Sequence, residues 1–246
     1  SSDEVLNSLN VSFFPREFSP SNYLNVFFYS TSAAQIDFPR YLLNTGIVAV
    51  VSTVGGTIFS IIVAFALARL NFKGKDLIFT LLLATMMIPG EMMVISNFVT
   101  VAKLGWVGAA GAGSYLAMIV PFMVSIFHIY LLRQTFMQIP NELYYAAKVD
   151  GCTDIKYLAK VMIPMAKSSI ITVVILKLMG TWNAYIWPNL VAHTEYRLVT
   201  TWLRSSFVDQ AESGSGRPLL NYQMAATVIV TVPLLLLFVF FRKYIM

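Results

Sequence analysis

The stretch Glu142-Leu143-Tyr144-Tyr145-Ala146-Ala147-Lys148-Val149-Asp150-Gly151-Cys152, followed by Ile163-Pro164, decides how the chain is read. It is charged and rich in small residues, yet it lies between long apolar runs in a sequence that otherwise avoids charge. Pro140 suits the first position of a helix, where its missing N–H would have no partner anyway, and Asn141 to Val149 supplies little over two turns. Glu142 near the start is favoured by the helix dipole, and Ala146 and Ala147 let another backbone come close. Asp150-Gly151 reads as a sharp turn that uses glycine's freedom at positive φ. Asp154 to Val161 then predicts a second short helix, and Pro164 separates it from the next apolar run. The residues alone allow two readings: an ordinary helical connector, or a stiff knob at a membrane surface that presents a docking face to a partner in the water.

Working outward, the composition places the chain in a bilayer. Of its 246 residues 57% are hydrophobic and only 12% charged, with a mean hydropathy of +0.70, values outside the range of ordinary soluble domains. Counted in apolar spans of about 20 residues, the sequence predicts five: Leu42 to Ala68, Leu77 to about Ala102, Ser114 to Leu132, Ser168 to about Ala192, and about Gln223 to Phe241. The first holds Gly55-Gly56, which suits close helix packing. The runs are continuously apolar rather than alternating, so helices are expected and a membrane barrel is not.

Basic residues orient the spans. If 69 to 76, 133 to 168 and 242 to 246 share one side, that side holds ten of the 17 Lys and Arg in the shorter total length, and the excess of positive charge marks it as cytoplasmic. The knob, with Lys148, Lys156, Lys160 and Lys167, is then expected inside the cell, the start of the chain outside and its end inside. Ser1 to Asn10 lacks the basic and apolar regions of a signal peptide, so an outside start leads to the expectation of a further span before the sequence given. The net charge of +5 follows from this one-sided distribution beside anionic lipid heads, and no nucleic-acid partner is expected. One cysteine, Cys152, excludes an intramolecular disulfide framework and a multi-cysteine metal site. Neither a metal nor a cofactor is expected.

Catalytic patterns are missing. No Gly-x-x-x-x-Gly-Lys-Ser/Thr loop occurs, so nothing in the sequence cradles ATP. No nucleophile elbow, HExxH or paired-carboxylate spacing is present, and no catalytic residue is assigned. Charges inside spans are expensive and carry a functional reading by default. Glu91, after Pro89-Gly90, could line a solute path or bond to a neighbouring helix; Lys177 could snorkel or face a water-filled cavity. Trp182, Asn183, Tyr185 and Trp187 could form a wall that stacks on sugar rings, or an interfacial aromatic belt, the belt being favoured for Trp187. The loop with Tyr196, Arg197, Trp202 and Arg204 could meet an external protein or be solvated.

The knob resembles the EAA motif of bacterial ATP-binding-cassette importer permeases through Ala146, Ala147, Asp150, Gly151, Ile163 and Pro164, with Glu142 at an acidic position just upstream. Tyr145 departs from the pattern where the motif's first glutamate would stand. Nearly the whole chain is similar to the carbohydrate branch, in particular to the second permease of maltose-type and multiple-sugar importers: Asn44, Ala66-Leu67-Ala68-Arg69, Pro89, Trp182-Asn183 and Trp187-Pro188 fall where comparable features lie. The resemblance implies an all-α membrane protein with the type I importer transmembrane fold, residues 1–40 being extracytoplasmic and 41–246 the permease domain with its coupling segment at 140–166. It implies a role for Glu142, Ala146, Ala147, Asp150, Gly151, Ile163 and Pro164 in contact with a separate ATPase, and for Glu91, Lys177, Trp182, Asn183 and Tyr185 along the solute path. The implied partners are a second permease, cytoplasmic ATPase subunits, an external solute-binding protein, a sugar or oligosaccharide, and the lipid of a bacterial plasma membrane. A permease for glycerol phosphate or another small polar solute, a self-sufficient secondary transporter and a membrane scaffold are the competing readings.

Overall fold

The computed structural model describes residues 20–28, 38–204 and 220–245; the expectations for 1–19 and 29–37 lie outside them. The described residues are almost entirely helical. After α1 (Ser21–Phe28), α2 (Phe38–Arg69) is, among the described residues, the one helix long and apolar enough to cross a bilayer unbroken. Its inner face explains its central place. Ser52, Gly56, Ser60 and Ala64 recur every fourth residue and are all buried, a stripe of small side chains that lets neighbours approach closely. α6 and α9 pack along it. The opposite face, with Val50, Val54, Ile58 and Ile62, is exposed.

Two of the five expected spans are bent and a third, the fourth in order, is broken after Trp182. α3 (Lys75–Thr85) and the helical stretch Gly90–Lys103, whose α-helical part is α4 (Met93–Lys103), meet at 83°, so the run expected from Leu77 to Ala102 is not one straight helix. Pro89 stands at that break and starts a 3-10 turn, as its fixed φ and missing donor favour. α5 (Ala112–Phe122) and α6 (Ile126–Gln138) meet at 51°. α7 is Asn141–Val149; α8 (Asp154–Met165) and α9 (Lys167–Trp182) meet at 84°. The expected fourth span is thus shortened: α9 stops at Trp182, and α10 (Ile186–Val191) is separate. Pro164 does not divide α8 from α9. A π-wide turn over Leu158–Met162 precedes it, where the ladder of i to i−4 bonds is already interrupted, and the chain bends only at Ala166. α11 (Leu220–Ile245) is the last span, with Pro233 inside it.

The buried residues form three clusters. At the end carrying 140–166, Ala64, Phe65 and Leu67 of α2 meet Ile129, Leu132 and Phe136 of α6, Tyr157, Leu158 and Met162 of α8, and Val173 of α9. At the far end, Val48 packs with Val101, Met118, Trp187 and Leu198. A third cluster joins Phe38 and Ala49 to Trp182 and to Ala225, Ala226 and Val230 of α11.

Candidate functional site

The 140–166 segment is two helices joined by a tightly bonded turn. α7 begins at Asn141, with Pro140 just before it rather than in its first position. The turn closes through Asp150 N–H to Ala146 O at 3.0 Å, Gly151 N–H to Lys148 O at 3.0 Å and Cys152 N–H to Ala147 O at 2.8 Å. Gly151 takes φ +71°, the left-handed conformation that ends many helices. Thr153 then caps α8 by accepting the Lys156 N–H at 3.4 Å.

A clamp that the sequence reading missed ties the two helices together. The Asp154 carboxylate receives Lys148 Nζ at 2.8 Å and the Tyr144 hydroxyl at 2.8 Å. These bonds, Lys148 first and Tyr144 second, hold the Asp154 carboxyl below its usual range; the same partner raises Lys148. Burial and donation to Asp154 raise Tyr144, which keeps its proton. The Tyr144 ring stands edge-on to Tyr157, centroids 5.1 Å apart, and Tyr157 is sunk in the core between α2 and α6. The signal was present as an acidic residue at the start of α8 and a basic one near the end of α7, but pairing across a turn is visible only in three dimensions.

Arg69, the last residue of α2, locks the segment to the bundle. Its guanidinium is buried and donates to Phe136 O at 2.7 Å, to Ile139 O and to the Asn141 side-chain oxygen. The first two acceptors are at the end of α6, where carbonyls lack helical partners; the third is the first residue of α7. Arg133 adds a bond to Leu67 O at 3.2 Å and lies 3.8 Å over the Phe79 ring.

The expected coupling residues divide into two groups. Glu142, Ala146, Asp150, Gly151 and Pro164 are exposed, whereas Ala147 and Ile163 pack against the core below. Between the exposed ones stand apolar side chains the sequence reading did not single out: Val149 is 88% exposed and Ile155 80%. A rigid, internally bonded knob that shows bare aliphatic groups to water has the character of an interface core awaiting its other half.

The expected path residues also divide. Lys177 is buried in the bundle and donates to Met123 O at 2.8 Å and Phe122 O at 3.2 Å, the carbonyls freed where α5 breaks from α6. Trp182 is buried and donates to Val230 O of α11 at 3.2 Å. Both are therefore occupied in helix contacts. Trp187, expected in an interfacial belt, is instead in the core at 6% exposure, donating to Ala117 O at 2.9 Å. Asn183 ends α9 and is exposed, its side chain back-bonded to Met179 O at 2.9 Å; Tyr185 is half-buried under Arg204, 4.5 Å away; Glu91 is exposed in the turn after Pro89.

At the far end Asn44 holds the 193–199 loop. Its amide donates to Glu195 O at 3.1 Å and Arg197 O at 3.4 Å and accepts from the Tyr115 hydroxyl at 2.7 Å. Thr45 accepts the Val199 N–H at 2.9 Å, and Arg40 pairs with Glu195 at 3.0 Å. Among the described residues no group of three His, Cys, Asp or Glu side chains could hold a metal ion.

Comparison with known proteins agrees with this geometry. Residues 56–246 match the family described as Binding-protein-dependent transport system inner membrane component. The arabinooligosaccharides transport system permease protein AraQ of Bacillus subtilis (strain 168) is 30% identical over 246 residues, covering 99% of this chain and 82% of that protein. The sn-glycerol-3-phosphate transport system permease protein UgpE of Pectobacterium atrosepticum is 28% identical over 207 residues, covering 84% of this chain and 71% of its own length. Among solved structures, a bacterial ABC transporter involved in the import of the acidic polysaccharide alginate superposes with a TM-score of 0.81 at 24% identity, covering 100% of this chain and 86% of its own; it shares the fold.

Proposed function

Because the chain belongs to the family of binding-protein-dependent transport system inner membrane components, we propose that its work is to form half of a translocation path for a sugar or oligosaccharide. It is a permease subunit of an ATP-binding-cassette importer, and its partners are a second permease, ATPase subunits and a solute-binding protein. Hydrolysis belongs to the ATPase subunits; this chain supplies no nucleotide-binding loop in its sequence. The observation that carries the reading is the protruding α7–α8 knob. Its turn is fixed by three backbone bonds and its base by Arg69, and it presents Val149 and Ile155 unpaired.

In the proposed mechanism the ATPase grips Glu142, Ala146, Asp150, Gly151, the exposed Pro164 and the bare Val149 and Ile155, while Ala147 and Ile163 set the knob's seat. Closure of the ATPase pair pulls the knob, and its rigidity passes the displacement to α2 and α6 and so to the path between the permeases, which opens to alternate sides. Asn183 and Glu91, which are exposed, and Tyr185, half-buried under Arg204, are the side chains proposed to meet solute. Lys177 and Trp182 act on the path through the helices they join. The distribution of Lys and Arg supports a cytoplasmic position for the basic loops, the knob and the end of the chain.

The chain's one cysteine, Cys152, sits in the knob's turn and makes the test direct. A bifunctional maleimide on the assembled complex is expected to join Cys152 to an ATPase subunit, and membrane-impermeant maleimide added to intact cells is expected to leave it unlabelled. Labelling from outside, or no ATPase adduct, would overturn the coupling role. Proteoliposomes loaded with ATP are expected to take up a labelled pentose oligosaccharide; uptake of sn-glycerol 3-phosphate alone would replace the sugar reading with the phosphate-ester one.

A further inference from the structure

A second basic site lies at the 140–166 end of the bundle, outside the knob. The loop from α2 to α3 and the end of α6 enclose an open cavity of about 720 Å³ lined by Lys73, Gly74, Lys75, Asp76 and Arg133, with Phe72, Leu77 and Met137 at its apolar side. Three cations face one carboxylate there. Gly74, at φ +83°, starts α3 with no side-chain cap, so the N–H groups of the first turn are left to whatever fills the cavity. An independent feature points the same way. Arg133 is only 8% exposed, and it spends its Nε on Leu67 O and one ring face on Phe79. Among the described residues no carboxylate pairs with it and its two terminal nitrogens find no acceptor. Its stem is held in the bundle while the guanidinium lines the open cavity, which leaves a fixed planar cation with free donors for an anion that enters there.

We propose that this cavity binds a phosphate group, and that its natural source is the headgroup of an anionic phospholipid. The guanidinium supplies the flat pair of donors that matches two phosphate oxygens, Lys73 and Lys75 supply charge, and the first turn of α3 supplies backbone N–H groups. Lys75 already reaches Ala68 O at 3.3 Å, which holds its ammonium at the cavity wall. Lipid is favoured over a soluble anion by the exposed Phe72, Leu77 and Met137, which continue the site toward the membrane as a surface for acyl chains. The bound lipid would fasten the α2–α3 loop and α6 beside the base of the knob.

The test uses the whole importer with its ATPase subunits, purified in mild detergent and stripped of lipid. Native mass spectrometry is to be run with phosphatidylglycerol or phosphatidylcholine added to the natural protein and to a Lys73→Gln/Lys75→Gln variant. Lys73 is exposed in the loop and Lys75 is the partly exposed first residue of α3; neither is among the residues assigned to ATPase contact or to the path, so basal ATP hydrolysis is expected to be unchanged. The natural protein is expected to retain phosphatidylglycerol in preference to phosphatidylcholine, and the variant to bind it on the order of tenfold more weakly. In a second arm inorganic phosphate is titrated against thermal unfolding of the stripped complex. Protection of the natural protein but not the variant by phosphate, with equal lipid retention in both, would keep the phosphate site and assign it to a soluble anion. Equal behaviour of the two proteins in both arms would overturn the site.

Discussion

At Gly151 the backbone stands at φ +71° with nothing within 4 Å of where a Cβ would lie, so substitution there acts through conformation and not through collision. A β-branched residue in the left-handed region costs about 1–2 kcal/mol, and the turn relieves that strain by opening. Gly151→Val is therefore expected to lower uptake per ATP hydrolysed several-fold, while Gly151→Asn, which tolerates the conformation, keeps most of it; the ratio in proteoliposomes reads this directly. Asp154 carries the second prediction. Its folded-state pKa is held below the ordinary carboxylate value, so its contribution is complete above the unfolded value, about 3.9, and is lost only as pH falls through the folded one. Lys148 is raised above 10.5, so its share is lost only as pH rises past that. Coupling is expected to be flat from about pH 5 to 9 in the natural protein and lowered at every pH in Asp154→Asn; a step near neutral pH would show that another group sets the clamp. The turn was legible because Asp-Gly has a local meaning. The clamp was not, because Tyr144, Lys148 and Asp154 meet only after the turn is made.

Whole helices were legible in a different degree. Long apolar runs, two of them holding a single charge at Glu91 or Lys177, marked the stretches expected to be helical, since length and hydropathy are local properties. The bends were not, because Met86-Met87-Ile88 is as apolar as its flanks and because the break between α5 and α6 is sustained from 54 residues away by Lys177 at Met123 O. The same remoteness hid the roles of Lys177 and Trp182. Gly56 shows how narrow this contact is: a Cβ there would stand 2.5 Å from Met123 O and against the Lys177 side chain. Gly56→Ala is expected to destabilise the subunit by about 1–3 kcal/mol through overpacking. Gly46→Ala in the same helix, with open space around it, serves as the control and is expected to be neutral or slightly stabilising. Equal melting temperatures for the two variants would show that α5 and α6 move freely past α2.

For the molecule as a whole, Arg69 is the side chain on which attachment of the knob turns. It joins the end of α2, the end of α6 and the start of α7 through three acceptors. Arg69→Gln would take the guanidinium from the carbonyls of Ile139 and of Phe136, the latter keeping only the Ile139 N–H at 3.3 Å, at a cost of about 1–3 kcal/mol, and it would free the knob from the bundle. The expected outcome is an assembled complex that hydrolyses ATP but moves little solute, measured as uptake and hydrolysis on one preparation. Loss of both activities in parallel would mark Arg69 as needed for folding alone. The sequence had placed Arg69 at the close of the first span without a purpose, since a terminal arginine beside lipid needs no partner to be explained.

The unbroken course of α2 has one more implication. Its 32 residues make a rod about 48 Å long at 1.5 Å per residue, bonded at one tip to the knob by Arg69 and at the other to the 193–199 loop by Asn44 and Arg40. Three helix pairs of the bundle meet at bends of 83°, 51° and 84° that can absorb a displacement; α2 has no such bend between its two anchor points. A displacement of one tip is therefore expected to appear at the other, so that the seat of the knob and the set of the 193–199 loop ride on one moving part.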